Sequence, residues 1–133
     1  MLKEFTVRTR EREQLVDVTA EVRKAVAESG VRSGTALVFA PHTTAAVTIN
    51  ENADPTVCSD LLQGLRELAP RAQGFYRHSE GNSDAHIKSS LVGASELVIV
   101  ENSRLVLGTW QAVYFAEFDG PRSRRLYVKV QGE

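Results

Sequence analysis

Three clusters of polar side chains in this sequence are dense enough to do chemistry. The first runs Pro41-His42-Thr43-Thr44-Ala45-Ala46 and resumes after a short apolar stretch as Asn50-Glu51-Asn52-Ala53-Asp54-Pro55. His42 offers a base, a hydrogen-bond donor or a metal ligand, and Glu51 offers a general base or a carboxylate for a ligand's ammonium or hydroxyl. The second runs from Tyr76 to Ser90 and holds His78, Glu80, Asp84, His86, Lys88 and Ser89. A helix opening near Asp84 would turn free backbone N–H groups toward an anion. The third begins Gly108-Thr109-Trp110-Gln111, alternates to Glu117 and Asp119, and ends Gly120-Pro121-Arg122-Ser123-Arg124-Arg125. Period two puts Gln111, Val113, Phe115, Glu117 and Asp119 on one strand face, a carboxylate and an amide beside apolar groups, as in a pocket wall. The planar forks of Arg122, Arg124 and Arg125 suit phosphate.

Each cluster also has a plain structural reading. Asn50, Asn52 and Asp54 suit turns and caps, with Asp54 mainly a cap. Asp84 and Lys88 can form an ordinary solvated pair one helical turn apart. Arginines on an edge strand guard against aggregation. His42, His78 and His86, with carboxylates nearby, suit a divalent ion such as Zn²⁺ or Mg²⁺, but their spacing matches no standard metal motif. A Ser-His-Asp triad lacks the Gly-x-Ser-x-Gly elbow that would expose its serine.

The elements that must position these groups can be read from periodicity. Leu2 to Arg8 alternates as a half-buried strand. Val18, Val22, Ala25 and Val26 share a helical face, with Asp17 as cap and Gly30 as left-handed stop. Residues 34–40 and 45–50 read as short strands. Asp54-Pro55 opens a helix with Val57, Leu61, Leu62, Leu65 and Leu68 as its buried stripe, stopped by Pro70, and Cys58 lies beside that stripe. Residues 71–83 read as loop. A two-turn helix from Asp84 to Val92 points Ile87 and Leu91 at the core and closes at Gly93. Strands follow at 96–100, 104–107, 111–118 and 124–130, the first two joined as a hairpin at Asn102-Ser103. About seven strands and two or three helices predict a single compact α+β domain spanning residues 1–133. The sheets would be mostly antiparallel and sandwich-like, with room for some parallel pairing around the early helices.

Composition narrows the partners. The chain has 133 residues, 16 Lys+Arg and 17 Asp+Glu, for a net charge of -1. The balance holds in each half, 8 basic against 9 acidic over residues 1–66 and 8 against 8 over 67–133, so there is no cationic footprint for nucleic acid. One cysteine, Cys58, excludes a disulfide framework and fits a reducing cytoplasm. No stretch resembles a signal peptide or approaches the ~20 apolar residues of a membrane span.

Five ordered segments together, His-Thr-Thr-Ala-Ala at 42–46, Asn-Glu-Asn-Ala-Asp-Pro at 50–55, His-Ile-Lys-Ser-Ser-Leu-Val-Gly at 86–93, Gly-Thr-Trp-Gln at 108–111 and Ser-Arg-Arg at 123–125, resemble the YjbQ-like family, also called the secondary thiamine-phosphate synthase family. The resemblance spans essentially the whole chain. It implies a homotrimer and a weak transferase activity that joins hydroxymethylpyrimidine diphosphate to thiazole phosphate and releases pyrophosphate. Within that reading His42, Glu51, His86 and Glu117 are the candidate catalytic residues. Lys88, Ser89, Thr109, Trp110, Gln111, Arg122, Arg124 and Arg125 are the candidates for substrate and phosphate, and His42, His78 and His86 for a divalent metal, with no other cofactor. Before His86 the chain has only Asn82-Ser83-Asp84, where some members carry a longer acidic insertion. The alternatives are a trimeric binding module for a phosphorylated metabolite or metal, and a structural trimer whose polar motifs line subunit contacts.

Overall fold

The structure, a computed structural model, describes residues 1–133. Eight strands and three helices follow one another along the chain. They are β1 (Leu2–Arg8), β2 (Gln14–Asp17), α1 (Thr19–Ser29), β3 (Gly34–Phe39), β4 (Ala45–Glu51), α2 (Pro55–Leu68), α3 (Ser83–Val92), β5 (Ser95–Glu101), β6 (Arg104–Leu105), β7 (Gln111–Glu117) and β8 (Ser123–Gly132). Sheet A has the order β1-β8-β3-β5-β6 and sheet B the order β2-β7-β4. Every pairing is antiparallel, so the parallel pairing left open by the early helices does not occur.

The sheets stack face to face. Val38, Leu126, Val128 and Val130 from sheet A meet Val47, Val113 and Phe115 from sheet B, and α1 seals the layer with Val22, Ala25 and Val26. Sheet B is covered on its other face as well, where Ala46, Ala116 and Phe118 pack with Ala85 of α3 and with Leu62 and Leu65 of α2. Burial on both faces explains why β7 from Ala112 to Glu117 is enclosed residue after residue. The outer face of sheet A has no such cover. Leu37, Phe39, Leu97 and Ile99 lie on it at 41%, 39%, 64% and 59% exposure.

Local chemistry accounts for the ends of the elements. Asp17 Oδ1 accepts from the Thr19 amide at 2.9 Å, and Gly30 stops α1 at φ 70. Asp54 Oδ1 accepts from the Thr56 amide at 3.0 Å, with Pro55 opening α2. Asn102 and Ser103 both take positive φ, 53 and 63, as the tight turn between β5 and β6 requires.

Two helices differ from their periodicity. No residue of α2 is fully buried, and Leu68 is 75% exposed, so its apolar stripe is half covered within the chain. In α3 the inward residues are Asp84, Ala85, Lys88 and Ser89, while Leu91 is 60% exposed. The reason is electrostatic. Lys88 Nζ donates to Glu13 Oε2 at 2.7 Å and to Asp84 Oδ2 at 2.9 Å. Arg12 forks onto both oxygens of Asp84 at 3.1 Å, and Arg66 of α2 donates to Glu13 Oε1 at 2.5 Å. Buried charges are tolerated when each has a partner, and this chain of pairs turns α3 to bring its charged face inside.

Candidate functional site

The site lies at one end of the sandwich, where β3 stops, β4 begins, β7 ends and β8 starts. Glu117 points from sheet B and Arg124 from sheet A into the same interlayer space. The Arg124 Nε donates to Glu117 Oε1 at 2.8 Å and its Nη2 donates to Glu117 Oε2, a fork that ties the two sheets together. Arg124 Nη2 also donates to Thr44 Oγ1 at 2.9 Å. Thr9 Oγ1 donates to Glu117 Oε1 at 2.8 Å and the Asp119 amide to Oε2 at 3.0 Å. Burial alone would raise the Glu117 carboxyl. Hydrogen bonds from Arg124, the Asp119 amide and Thr9, with the Arg124 charge, outweigh it and hold the group below the ordinary carboxylate range.

Gly120 shapes the turn after Glu117. A Cβ there would sit 2.4 Å from the Glu11 carbonyl oxygen and 2.8 Å from Glu117 Cγ, so only glycine fits. The turn then delivers Arg122, whose amide donates to Thr9 Oγ1 at 2.8 Å and whose Nη2 donates to Asp119 Oδ2 at 2.9 Å. Asn82 Nδ2 shares that Asp119 oxygen at 2.8 Å.

Two clefts meet around His42 and form one open trough. One, of about 440 Å³, is lined by Phe39, Pro41, His42, Thr44, Arg122 and Arg124. The other, of about 470 Å³, is lined by His42, Thr43, His86, Ser89, Ser90 and Ala94. Ser89 Oγ is buried in that wall with no hydrogen-bond partner. A third hollow, with Phe75, Tyr76, His78, His86 and Ile87, opens on the far side of His86. His42 itself is half-buried. Desolvation, and then the Arg124 charge, push its imidazole toward the neutral form.

The structure therefore gathers His42, His86, Ser89, Arg122 and Arg124 and separates the other candidates. Glu117 is 0% exposed with both oxygens occupied, so it holds Arg124 and does not face a ligand, correcting its reading as a catalytic pocket-wall group. Lys88 is 1% exposed and committed to Glu13 and Asp84, so it does not reach phosphate from this position. Alternation along β8 puts the Arg125 side chain on the opposite face from Arg124. The neighbouring Tyr127 and then Glu4 hold its guanidinium above the usual range.

Glu51, Thr109, Trp110 and Gln111 form a different neighbourhood. Glu51 pairs with Gln111, whereas Ala45 pairs with Glu117, so the two groups sit at opposite ends of β4 and β7, about 20 Å apart. There the Trp110 carbonyl accepts from the Asn52 amide at 3.0 Å, and Gln111 Oε1 accepts from the Gly108 amide at 2.8 Å.

The three histidines do not converge as a ligand set. The rings of His78 and His86 stack edge to face, 5.2 Å between centroids, while His42 Nε2 is engaged by the Arg125 amide at 2.9 Å. No group of three or more His, Cys, Asp or Glu is placed to hold a metal ion, so the residues of one chain do not fit the metal site proposed on His42, His78 and His86.

Thr9, Arg12 and Glu13 lie outside the three polar clusters of the sequence, and Thr44 and Asp119 lie within them without being assigned a role at the site. Arg12 and Glu13 lie in the alternating run Arg8-Thr9-Arg10-Glu11-Arg12-Glu13, which looks like a solvated segment until its partners are known.

Comparison with other proteins fits this geometry. The model of the "UPF0047 protein YjbQ-like" family matches residues 3–133. The UPF0047 protein YugU of Bacillus subtilis is 54% identical over 132 residues, which is 99% of this chain and 100% of that protein. A UPF0047 protein of Methanocaldococcus jannaschii is 52% identical over 133 residues, covering 100% of this chain and 96% of that one. Among solved structures, a YjbQ/UPF0047 family protein of Clostridium acetobutylicum superposes with a TM-score of 0.95 at 54% identity, covering 97% of this chain and 99% of that one. A YbjQ-like protein of unknown function from Sulfolobus solfataricus gives 0.95 at 33% identity, covering 100% and 97%. With its motifs, its fold and its full-length matches in agreement, this chain belongs to the YjbQ-like UPF0047 family.

Proposed function

We infer that this protein is a small cytoplasmic transferase of the secondary thiamine-phosphate synthase type, working as a homotrimer with weak activity. In that reaction the ring nitrogen of thiazole phosphate forms a bond to the pyrimidine methylene carbon. The methylene C–O bond breaks, and its electron pair leaves with pyrophosphate. No proton moves in the bond-making step. What the step needs is stabilisation of the departing anion and alignment of two reactants.

The observation that carries the reading is the donor-lined trough. Arg122, Arg124, His42 and Ser89 line it, and no carboxylate is among the lining residues. A site so furnished suits a phosphoryl or pyrophosphoryl group and would repel no anion.

Incubating the purified protein with both substrates and measuring thiamine phosphate, with and without Mg²⁺ or Zn²⁺, tests the reading. Product above background, falling at least tenfold in Arg122→Ala, supports it. No product above background under any of these conditions overturns the transferase. The second reading is a binding module for a phosphorylated metabolite. It needs nothing beyond the donor set of the trough, and pyrophosphate binding without turnover would select it.

A further inference from the structure

His42 has a second partner to find, and the backbone decides which of its nitrogens seeks it. Strand β3 ends at Phe39, ahead of Pro41, while β8 continues to Ser123. The last β3–β8 pair is Phe39 with Tyr127, so Arg125, which pairs with Thr6 of β1 across the other edge of β8, has no β3 residue opposite it. His42 fills the place, accepting that amide on Nε2 at 2.9 Å. Nε2 also lies 3.2 Å from the Arg125 carbonyl oxygen, but the amide contact is the shorter and a backbone N–H can only donate, so Nε2 presents its lone pair to the amide and the proton of the uncharged ring sits on Nδ1. Nδ1 has no acceptor in the protein and is not sealed off. His42 lines both halves of the trough.

The ring's surroundings agree. Arg124 of β8 faces it while the Arg125 side chain, on the opposite face, adds only a weaker positive field, Glu117 of β7 is saturated by Arg124, and Arg122 and His86 flank the same trough. The edge of the ring rests against Phe115 at 6.2 Å between centroids. Two more donors converge on the space. Arg124 commits Nε and Nη2 to Glu117 and Thr44, leaving Nη1 without a protein acceptor and open. Ser89 Oγ lies buried and unpartnered in the wall.

We propose that His42 serves the trough as a fixed hydrogen-bond donor, Nε2 locked on the Arg125 amide and Nδ1–H directed at an oxyanion of the phosphoryl class, and that it acts neither as general base nor as metal ligand. This rests on the anion reading of the trough given above, and deepens it by assigning the recognising atom.

Sulfate is the probe, because its charge is constant over the working pH range. His42→Gln carries an amide oxygen near the Nε2 position and keeps the Arg125 contact but has no Nδ1 donor. His42→Asn places an amide N–H₂ near Nδ1 and gives up the Arg125 contact. Titration calorimetry should show sulfate binding about tenfold weaker in His42→Gln, and within about threefold of wild type in His42→Asn despite a lower Tm. Long-range ¹H–¹⁵N spectra of the wild-type imidazoles should show His42 as the Nδ1–H tautomer, taking its second proton only below the ordinary imidazole range. An Nε2–H tautomer, ordinary titration near pH 6.5, or sulfate affinity in His42→Gln equal to wild type overturns the assignment of His42 alone. If wild type binds neither sulfate nor pyrophosphate, both this assignment and the anion reading fall.

Discussion

Removing the Arg124 side chain should expose what the end of the sandwich depends on. In Arg124→Ala, Glu117 stays enclosed at 0% exposure and keeps only the Thr9 hydroxyl and the Asp119 amide as donors. Breaking a buried pair in this way costs about 3–5 kcal/mol, because one charge is left uncompensated. For a domain of this size each kcal/mol moves Tm by roughly 3–5 °C, so a drop of about 10–20 °C is expected.

The pH dependence carries the sharper test. In the wild type the Glu117 carboxyl is held below its ordinary range, so its contribution is present above the unfolded value near pH 4.3 and is lost as pH falls through the folded value. In the variant, burial without the guanidinium pushes the carboxyl above its unfolded value. The folded variant then binds the extra proton and gains stability as pH falls from about 7 to 5. The deficit should shrink over that interval by about 1–2 kcal/mol. The double variant Arg124→Met/Glu117→Leu should recover most of the loss, since an apolar pair leaves nothing uncompensated. Urea unfolding at fixed protein concentration, at both pH values, reads all three. A deficit under about 1 kcal/mol that is the same at both pH values would refute the account of Glu117 as an enclosed, ionised group.

Other predictions follow from the rest of the molecule. Lys88→Ala should destabilise by about 3–5 kcal/mol in thermal melts, by leaving Glu13 and Asp84 facing each other in the interior. Asp84 is held below its usual range by Arg12 and Lys88 against the opposing effect of burial. Its contribution is therefore present above about pH 3.9 and lost as pH falls through its folded value, which acid titration of wild type and Asp84→Asn would separate. Leu97→Glu, on the bare face of sheet A, should leave the circular dichroism spectrum intact and, if the wild type forms the proposed homotrimer, abolish it by light scattering; a surviving trimer would place the subunit contact elsewhere. Ser103→Gly should raise stability by about 1 kcal/mol, since Ser103 sits at φ 63 and glycine takes that conformation without strain.

Features encoded within a few residues were readable in the sequence. Asp54-Pro55 opening α2, Gly30 closing α1 and the Asn102-Ser103 turn each rest on local hydrogen bonds or a local φ, and each appears where its chemistry places it. Strand β2 was not readable, because Gln14–Asp17 is only four residues long and its first three residues are all half-buried, with no alternation. The orientation of α3 was misread because Asp84 and Lys88 look like a solvated pair until Glu13 is found 75 residues before Lys88. The arginine cluster was readable as charge, but only strand alternation in place divides Arg124 inward from Arg125 outward. The histidine cluster was readable as composition. Which ring nitrogen is free depended on a backbone amide 83 residues away.

The order of strands in sheet A carries a consequence for how the chain is made. The C-terminal β8 lies between β1 and β3, pairing with the N-terminal strand on one side and with an early strand on the other. A ribosome therefore releases β1, β3 and β5 before the strand that joins β1 to the others exists. Until Ser123–Gly132 emerges, the edges of β1 and β3 are unpaired, and neither the Arg124 fork nor the amide that orients His42 has been synthesised. Folding of this domain thus waits for its last strand and is dominated by distant pairings, a slow class with exposed strand edges in waiting. A nascent chain stalled about ten residues short should remain protease-sensitive and chaperone-bound, whereas one extended by a linker long enough to clear the exit tunnel should reach the protease-resistant fold.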